Sequence, residues 1–238
     1  MLYHRGSSRA AEHTRRRTGY LYRIALTHPF DSYHADELGA VHSIIGAIVV
    51  AREQLTDEQF SRLLDVELGT VRAVLSQLQP LLQGGHGKPV QVLHTSFTDF
   101  LCDPKRCQNV QWHIDASAHH HNLVSGCLRL MQRDLRFNIC DIETSYCLHL
   151  GIEGIQETVD TPITPALMYA SQYWADHLEL GSSTESGSDQ LAVEVTSFVT
   201  DRLLYWIEVF SLKNQISKIS VALRKATNWV EVRRFFSE

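Results

Sequence analysis

No uninterrupted apolar run in the 238-residue chain approaches the roughly 18 to 20 residues that span a bilayer, so a membrane-crossing helix is excluded. No apolar signal segment opens the sequence, and the five cysteines, Cys102, Cys107, Cys127, Cys140 and Cys147, are odd in number and irregular in spacing. A disulfide framework has no basis in that pattern, and a reducing, cytoplasmic setting is expected. A phosphate cradle is missing too. It would need glycines whose N–H groups wrap phosphate, a lysine for charge, and a Ser or Thr hydroxyl for Mg²⁺. The nearest candidate, Gly87-Lys88, is followed by Pro89, and Leu82 occupies the place of the leading glycine. There is no Gly-x-Ser-x-Gly elbow, and Cys102 and Cys107 lack a second pair at zinc-finger spacing.

These absences leave no residue to nominate as catalytic, as a metal ligand or as a cofactor anchor, and the chain is expected not to be an enzyme. Its thirteen histidines include the run His119-His120-His121, near His113, Asp115 and Cys107. Adjacent residues of a helix point about 100° apart and cannot share one tetrahedral ion, so this run is expected to be a solvated helix N-terminus.

What the chain does have is 44% apolar residues, enough for a self-supporting core in one large or two modest domains. The formal charge of −5 is unevenly spread: Arg5, Arg9, Arg15, Arg16, Arg17 and Arg23 crowd the start against a single acid, Glu12. Residues 1–20 are expected to form a basic, poorly ordered arm, with polyanion binding or organelle targeting as its functional alternatives.

Apolar residues recur at helical steps from Asp36 to Arg52, through Leu38, Val41, Ile44, Ile45, Ile48 and Val49. Thr56 and Gln59 have capping-box spacing, which predicts a short helix over Asp57 to Leu64. A third pattern follows Gly69-Thr70, through Val71, Val74, Leu75, Leu78, Leu81 and Leu82 to about Gln83. The segment Gly84 to Pro89 must turn, and Val90 to His94 reads as a short strand. Three helices and a small hairpin describe a winged helix over residues 21–112.

Helical patterning resumes beyond Asp103-Pro104, with Asp115 as a cap and Leu123, Cys127, Leu128 and Met131 on one face, giving a helical domain over 113–180. Asn138 to Thr164 is irregular. Pro165 opens a helix carrying Tyr169, Tyr173, Trp174 and His177. A Gly/Ser linker occupies 181–189, and a helical hairpin, about Gln190 to Leu212 and Ile216 to Trp229, fills 190–238. Tyr169, Tyr173, Trp174, Tyr205 and Trp206 are expected in the core rather than in a stacking site. The fold class is therefore mainly α: a winged helix with a small β-hairpin, followed by a helical bundle.

Six blocks in order carry a resemblance. They are Leu21-Tyr22-Arg23-Ile24-Ala25-Leu26, Ile45-Gly46-Ala47-Ile48-Val49-Val50-Ala51-Arg52, Val71-Arg72-Ala73-Val74-Leu75, Val92-Leu93-His94-Thr95-Ser96-Phe97-Thr98-Asp99-Phe100-Leu101, Cys127-Leu128-Arg129-Leu130-Met131, and Tyr169-Ala170-Ser171-Gln172-Tyr173-Trp174-Ala175-Asp176-His177-Leu178. Together they resemble the region that follows the nucleotide-hydrolysing core in fungal NACHT-type signalling and vegetative-incompatibility proteins. The resemblance implies a winged helix that closes over a nucleotide-bound NACHT core, here absent, and helices that relay its state. It implies protein partners, with a NACHT core in trans or related signalling proteins among them. It also implies a nucleotide-sensing role for His94, which stands at the start of the His-x-Ser-Phe-x-x-Phe-Leu pattern and would contact the phosphate of ADP. The alternative for His94 in the isolated chain is a local hydrogen bond at the strand edge.

A winged helix also raises DNA binding, with Arg15, Arg16, Arg17 and Arg72 as the candidate contacts. Phosphate binding needs clustered bases, yet Asp36 to Trp112 holds nine acids against six bases. Protein contact is the better use of this surface, and nucleic acid the alternative.

Overall fold

A computed structural model of the chain describes residues 17–107, 111–142, 159–181 and 188–237. The protein is mainly helical, with one two-stranded antiparallel sheet among the described residues. Two compact units divide it, Met1–Glu58 with Val66–Ala116, and Gln59–Asp65 with Ser117–Glu238. Among the described residues no helix is long and apolar enough to cross a membrane.

In the first unit a helix over residues 17–27 (α1) leads through the 3-10 turn His28–Phe30 to α2, Ala35–Val50. Residues 17–20 are thus helical, although the sequence assigns them to the basic arm; residues 1–16 of that arm, Arg15 and Arg16 included, lie outside the described residues. Helix α2 begins where the Glu37 carboxylate accepts from the His34 N–H at 2.8 Å, satisfying a donor that the first turn leaves open. It buries Val41, Ile44 and Ile45 of the anticipated stripe together with Ala47 and Val50, whereas Leu38, Ile48 and Val49 are half-buried. Helices α3, Asp57–Leu64, and α4, Leu68–Gln77, follow.

Strands β1, Leu82–Gly85, and β2, Lys88–Val92, pair antiparallel, so the chain is already extended where the sequence predicts a turn. The turn itself is only His86-Gly87. Both residues have positive φ, 54° and 80°, as a two-residue hairpin turn requires. Gly84, at φ 107°, sits in the register shift between Gln83 and Gly85, and a Cβ there would lie 2.0 Å from the Pro89 carbonyl oxygen. The glycine run therefore makes a bulge and a tight turn instead of an open loop. A bond from the Leu93 N–H to the Leu81 carbonyl, 3.1 Å, closes the hairpin base, and helix α5, Thr95–Cys102, follows at once.

The second unit is built on α6, Ala116–Asp134, and α7, Pro165–Leu180. Thr164 caps α7 by accepting from the Leu167 N–H, with Pro165 at the first turn, where its missing N–H costs nothing. Segment Gln59–Asp65 lies directly on α6: a Cβ on Gly126 would come within 2.1 Å of the Leu63 carbonyl oxygen. Arg62 reaches Asp134 at 2.6 Å and the Thr164 hydroxyl at 3.0 Å.

The sequence predicts one helix over 190–212, but there are two, α8, Ser188–Asp201, and α9, Leu203–Leu212. Arg202 leaves helical geometry at φ −126°, ψ −9°. The Thr196 and Thr200 hydroxyls bond back to the carbonyls of Ala192 and Thr196, a competition that bends helices, while Arg202 Nε donates to the Gln132 carbonyl. Of the expected linker 181–189, residues 182–187 lie outside the described residues and Ser188-Asp189 open α8. The last helix, α10, Ser217–Ser237, is longer than its predicted end at Trp229 and packs along α7. Trp174, Phe198, Trp206 and Phe210 form the aromatic centre of this unit, with successive ring centroids 5.0 to 6.2 Å apart. Of the five aromatics expected in the core, Tyr169, Trp174 and Trp206 are buried, and Tyr173 and Tyr205 are half-buried.

Candidate functional site

A cleft of about 460 Å³ opens in the first unit beside His94. Helix α1 contributes Thr18 and Tyr22, the end of the α4–β1 connection Pro80 and Leu81, the segment after β2 Leu93 and His94, and α5 Ser96 and Phe97. Arg106, in the turn that follows α5, completes the lining.

Local chemistry sets the shape. Helix α5 starts directly after the hairpin, and His94 is its N-cap: Nδ1 accepts the Ser96 N–H at 3.1 Å. A ring nitrogen that accepts carries no proton, so the neutral imidazole holds its proton on Nε2. That Nε2–H has no protein partner among the described residues. Tyr22 and Ser96 share a hydroxyl–hydroxyl bond of 2.6 Å, which ties α1 to the first turn of α5. The Tyr22 ring packs edge-on against Phe97 at 5.2 Å and tilted against Phe100 at 5.5 Å, so the aromatic floor of the cleft is spent on itself. Arg106 is half-buried, and its guanidinium meets no carboxylate among the described residues.

The hairpin beside the cleft is held from below. Asp57, at the start of α3, is fully buried; one carboxylate oxygen accepts Arg72 Nε at 2.6 Å, and the other accepts the Gly87 N–H at 2.8 Å. Burial alone would push this carboxyl up, but the Arg72 guanidinium and the backbone N–H groups of Gly87 and Glu58 hold it below the ordinary value. The Val90 N–H adds a bond to the Leu55 carbonyl, 2.8 Å.

His94 thus stands on the cleft wall, and its local bond is to the first turn of α5, not to a strand edge as the sequence anticipates. Arg72 is committed to Asp57 and, at 3.8 Å, to Glu58, so its charge is neutralised inside the fold. Arg17 is exposed on α1. No group of three or more His, Cys, Asp or Glu among the described residues is placed to hold a metal ion.

The histidine run departs from its expectation. His119 and His120 are buried, not solvated. His120 Nδ1 lies 2.7 Å from His177 Nδ1, and His177 Nε2 lies 2.8 Å from the Tyr169 hydroxyl, which makes a buried polar chain joining α6 to α7. Among the cysteines, burial pushes Cys127 well above the usual thiol range, and Cys102 and Cys140 are raised for the same reason, so none of these three is primed as a nucleophile.

Arg106 and the cleft are what sequence reading missed, because Thr18, Pro80, His94 and Arg106 meet only through the tertiary fold. No protein-family model, no curated protein and no solved structure matches the chain.

Proposed function

We propose that this chain is a non-catalytic regulatory and interaction module of a NACHT-type, nucleotide-switched signalling protein, working in the cytoplasm through protein partners. In this reading residues 21–112 form a winged helix, with α2 to α4 as its three helices and β1–β2 as its wing. A NACHT core acting in trans is among the partners.

The observation that carries the proposal is the state of His94. Its Nδ1 is occupied by the Ser96 N–H, which leaves Nε2–H as a donor at the wall of an open cleft. That is the arrangement a phosphate-sensing histidine needs, and it accords with the His-x-Ser-Phe-x-x-Phe-Leu resemblance. The non-catalytic part rests on chemistry. The glycines that might have cradled phosphate serve the hairpin bulge and turn.

The test is phosphate release from Mg-ATP and Mg-GTP by the purified chain, with a heat-inactivated sample as control. No turnover above the control is expected; sustained turnover that follows the protein through two orthogonal columns would sink the proposal. A salt-titrated gel shift decides the winged-helix DNA alternative. With Arg72 bound to Asp57, tight binding that falls steeply with salt is not expected.

A further inference from the structure

We infer that the cleft beside α5 receives an acidic peptide segment of a partner protein, one large apolar side chain entering the cavity and a neighbouring carboxylate pairing with Arg106. The inference rests on the reading of the chain as an interaction module and adds the chemistry of the partner.

The argument starts from charge. Five of the twelve arginines with described side chains meet an acid: Arg62 and Arg133 meet Asp134, Arg72 meets Asp57, Arg136 meets Asp141, and Arg233 meets Asp189. Arg106 meets none among the described residues, although it is half-buried and lines a cavity. Its nearest acid in sequence, Asp103, spends Oδ1 on the Lys105 N–H and its carbonyl on the Arg106 and Cys107 N–H groups. A guanidinium withdrawn from part of its water and left unpaired is a standing demand for an anion, best met by a planar carboxylate that it can grip with two N–H groups.

The rest of the lining says what the anion is attached to. Leu81, Leu93, Pro80 and Phe97 make the walls mainly apolar, and Leu93 at the rim is 54% exposed, a large aliphatic side chain held toward water beside a cavity. Polar groups are few: the His94 Nε2–H, the Tyr22–Ser96 hydroxyl pair and Thr18. An apolar cavity with a small number of convergent donors is the usual form of a binding pocket, and about 460 Å³ lies within the common range of roughly 300 to 1,000 Å³.

A nucleotide fits this site poorly on its own. One guanidinium and one neutral imidazole do not balance a diphosphate. No lysine lines the cleft, and the Tyr22 ring is already packed against Phe97 and Phe100. A single carboxylate beside an apolar side chain matches both the charge and the walls.

The experiment uses the full chain and fluorescein-labelled short peptides carrying one Phe or Leu next to one Glu, each with a Gln-for-Glu counterpart, read by fluorescence anisotropy. The Glu peptides are expected to bind, with the Gln counterparts at least about tenfold weaker. Arg106→Ala should weaken the Glu peptide about tenfold or more while leaving the weak Gln binding unchanged, and Arg106→Lys should restore part of the loss. Leu93→Ala should weaken both peptides alike. Because Arg106 makes no side-chain bond among the described residues and Leu93 is half in water, both variants should keep the parent melting curve, so failure to fold does not obscure the result. No binding by any Glu peptide up to about 1 mM, a limit that corresponds to negligible affinity, overturns the inference. So does an Arg106→Ala variant that binds as the parent does. ADP binding lost in Arg106→Ala without any peptide binding would assign the cleft to nucleotide, and concentration-dependent dimers lost in the same variant would assign it to a second copy. Either result overturns the peptide assignment, whereas the module reading stands or falls by phosphate release.

Discussion

Asp57 and Arg72 lock together α3, α4 and the hairpin turn: the carboxylate accepts Arg72 Nε at 2.6 Å while its second oxygen holds the Gly87 N–H at 2.8 Å. The acid is fully buried and the guanidinium is 40% exposed, so the pair is asymmetric in what each partner loses when alone. Arg72→Ala would leave a buried carboxylate with only backbone donors. The expected cost is roughly 2 to 3 kcal/mol, below the value for a fully buried pair because Arg72 retains water. Asp57→Ala is expected to loosen the hairpin as well, seen as faster amide exchange at Gly87 and Val90 than in Arg72→Ala.

The same carboxyl gives the pH dependence. Its folded value lies below the ordinary 3.8, so the unfolded chain binds the proton more readily than the folded one. The stability from this contact is therefore complete above that ordinary value and is lost as pH falls through the lower, folded one. Urea midpoints of the parent and Asp57→Asn should differ at pH 7 and converge in strong acid. A constant difference down to the lowest pH at which the chain folds would contradict the assignment.

Two glycines mark close approaches that no side chain can enter. A Cβ on Gly84 would meet the Pro89 carbonyl oxygen at 2.0 Å at a residue already at φ 107°, and on Gly126 it would meet the Leu63 carbonyl oxygen at 2.1 Å. Gly126 lies in mid-helix, where alanine is intrinsically favoured by about 1 kcal/mol. Gly126→Ala is nonetheless expected to lower the melting temperature. A rise would mean that α6 does not lie against Leu63 as described.

Helix α3, Asp57–Leu64, was legible because Thr56 and Gln59 at its start have capping-box spacing. Strand β1 was not, because Gln83-Gly84-Gly85 has no strand propensity; it is extended only because Val92 and Gln91 pair with it. The break at Arg202 is hidden by an apolar period that continues across it. Buried His120 meets a partner 57 residues away, and the cleft gathers residues from Thr18 to Arg106. What sequence reading lacked in each case was a long-range contact. His94 could be singled out by its motif, whereas Arg106 belongs to no pattern until the fold brings it to the cavity.

In the chain Tyr169–His177–His120, His177 uses both ring nitrogens, one toward each neighbour. His177→Phe preserves ring volume and removes both bonds, with an expected loss of about 2 to 4 kcal/mol. Tyr169→Phe removes only one of them. Because the two substitutions share that bond, the double variant should lose clearly less than the sum of the singles. Additive losses in a double-mutant cycle by urea denaturation would show that the hydroxyl and the ring do not interact.

His94 serves α5 as a cap and the cleft as a donor, and the two roles separate by substitution. His94→Ala removes the acceptor for the Ser96 N–H and should cost about 1 kcal/mol, the usual penalty of a lost N-cap. His94→Asn and His94→Asp restore a side-chain acceptor at that place, and both should recover the parent stability, since these residues are strong caps. Neither carries a ring N–H into the cleft. If His94 also donates to a bound anion, His94→Asn should fold like the parent and bind the Glu-containing peptides less tightly. His94→Asp should bind them least, because it places a negative charge beside Arg106. Equal affinity for the parent, His94→Asn and His94→Asp, measured in one titration series, would restrict this residue to its capping role.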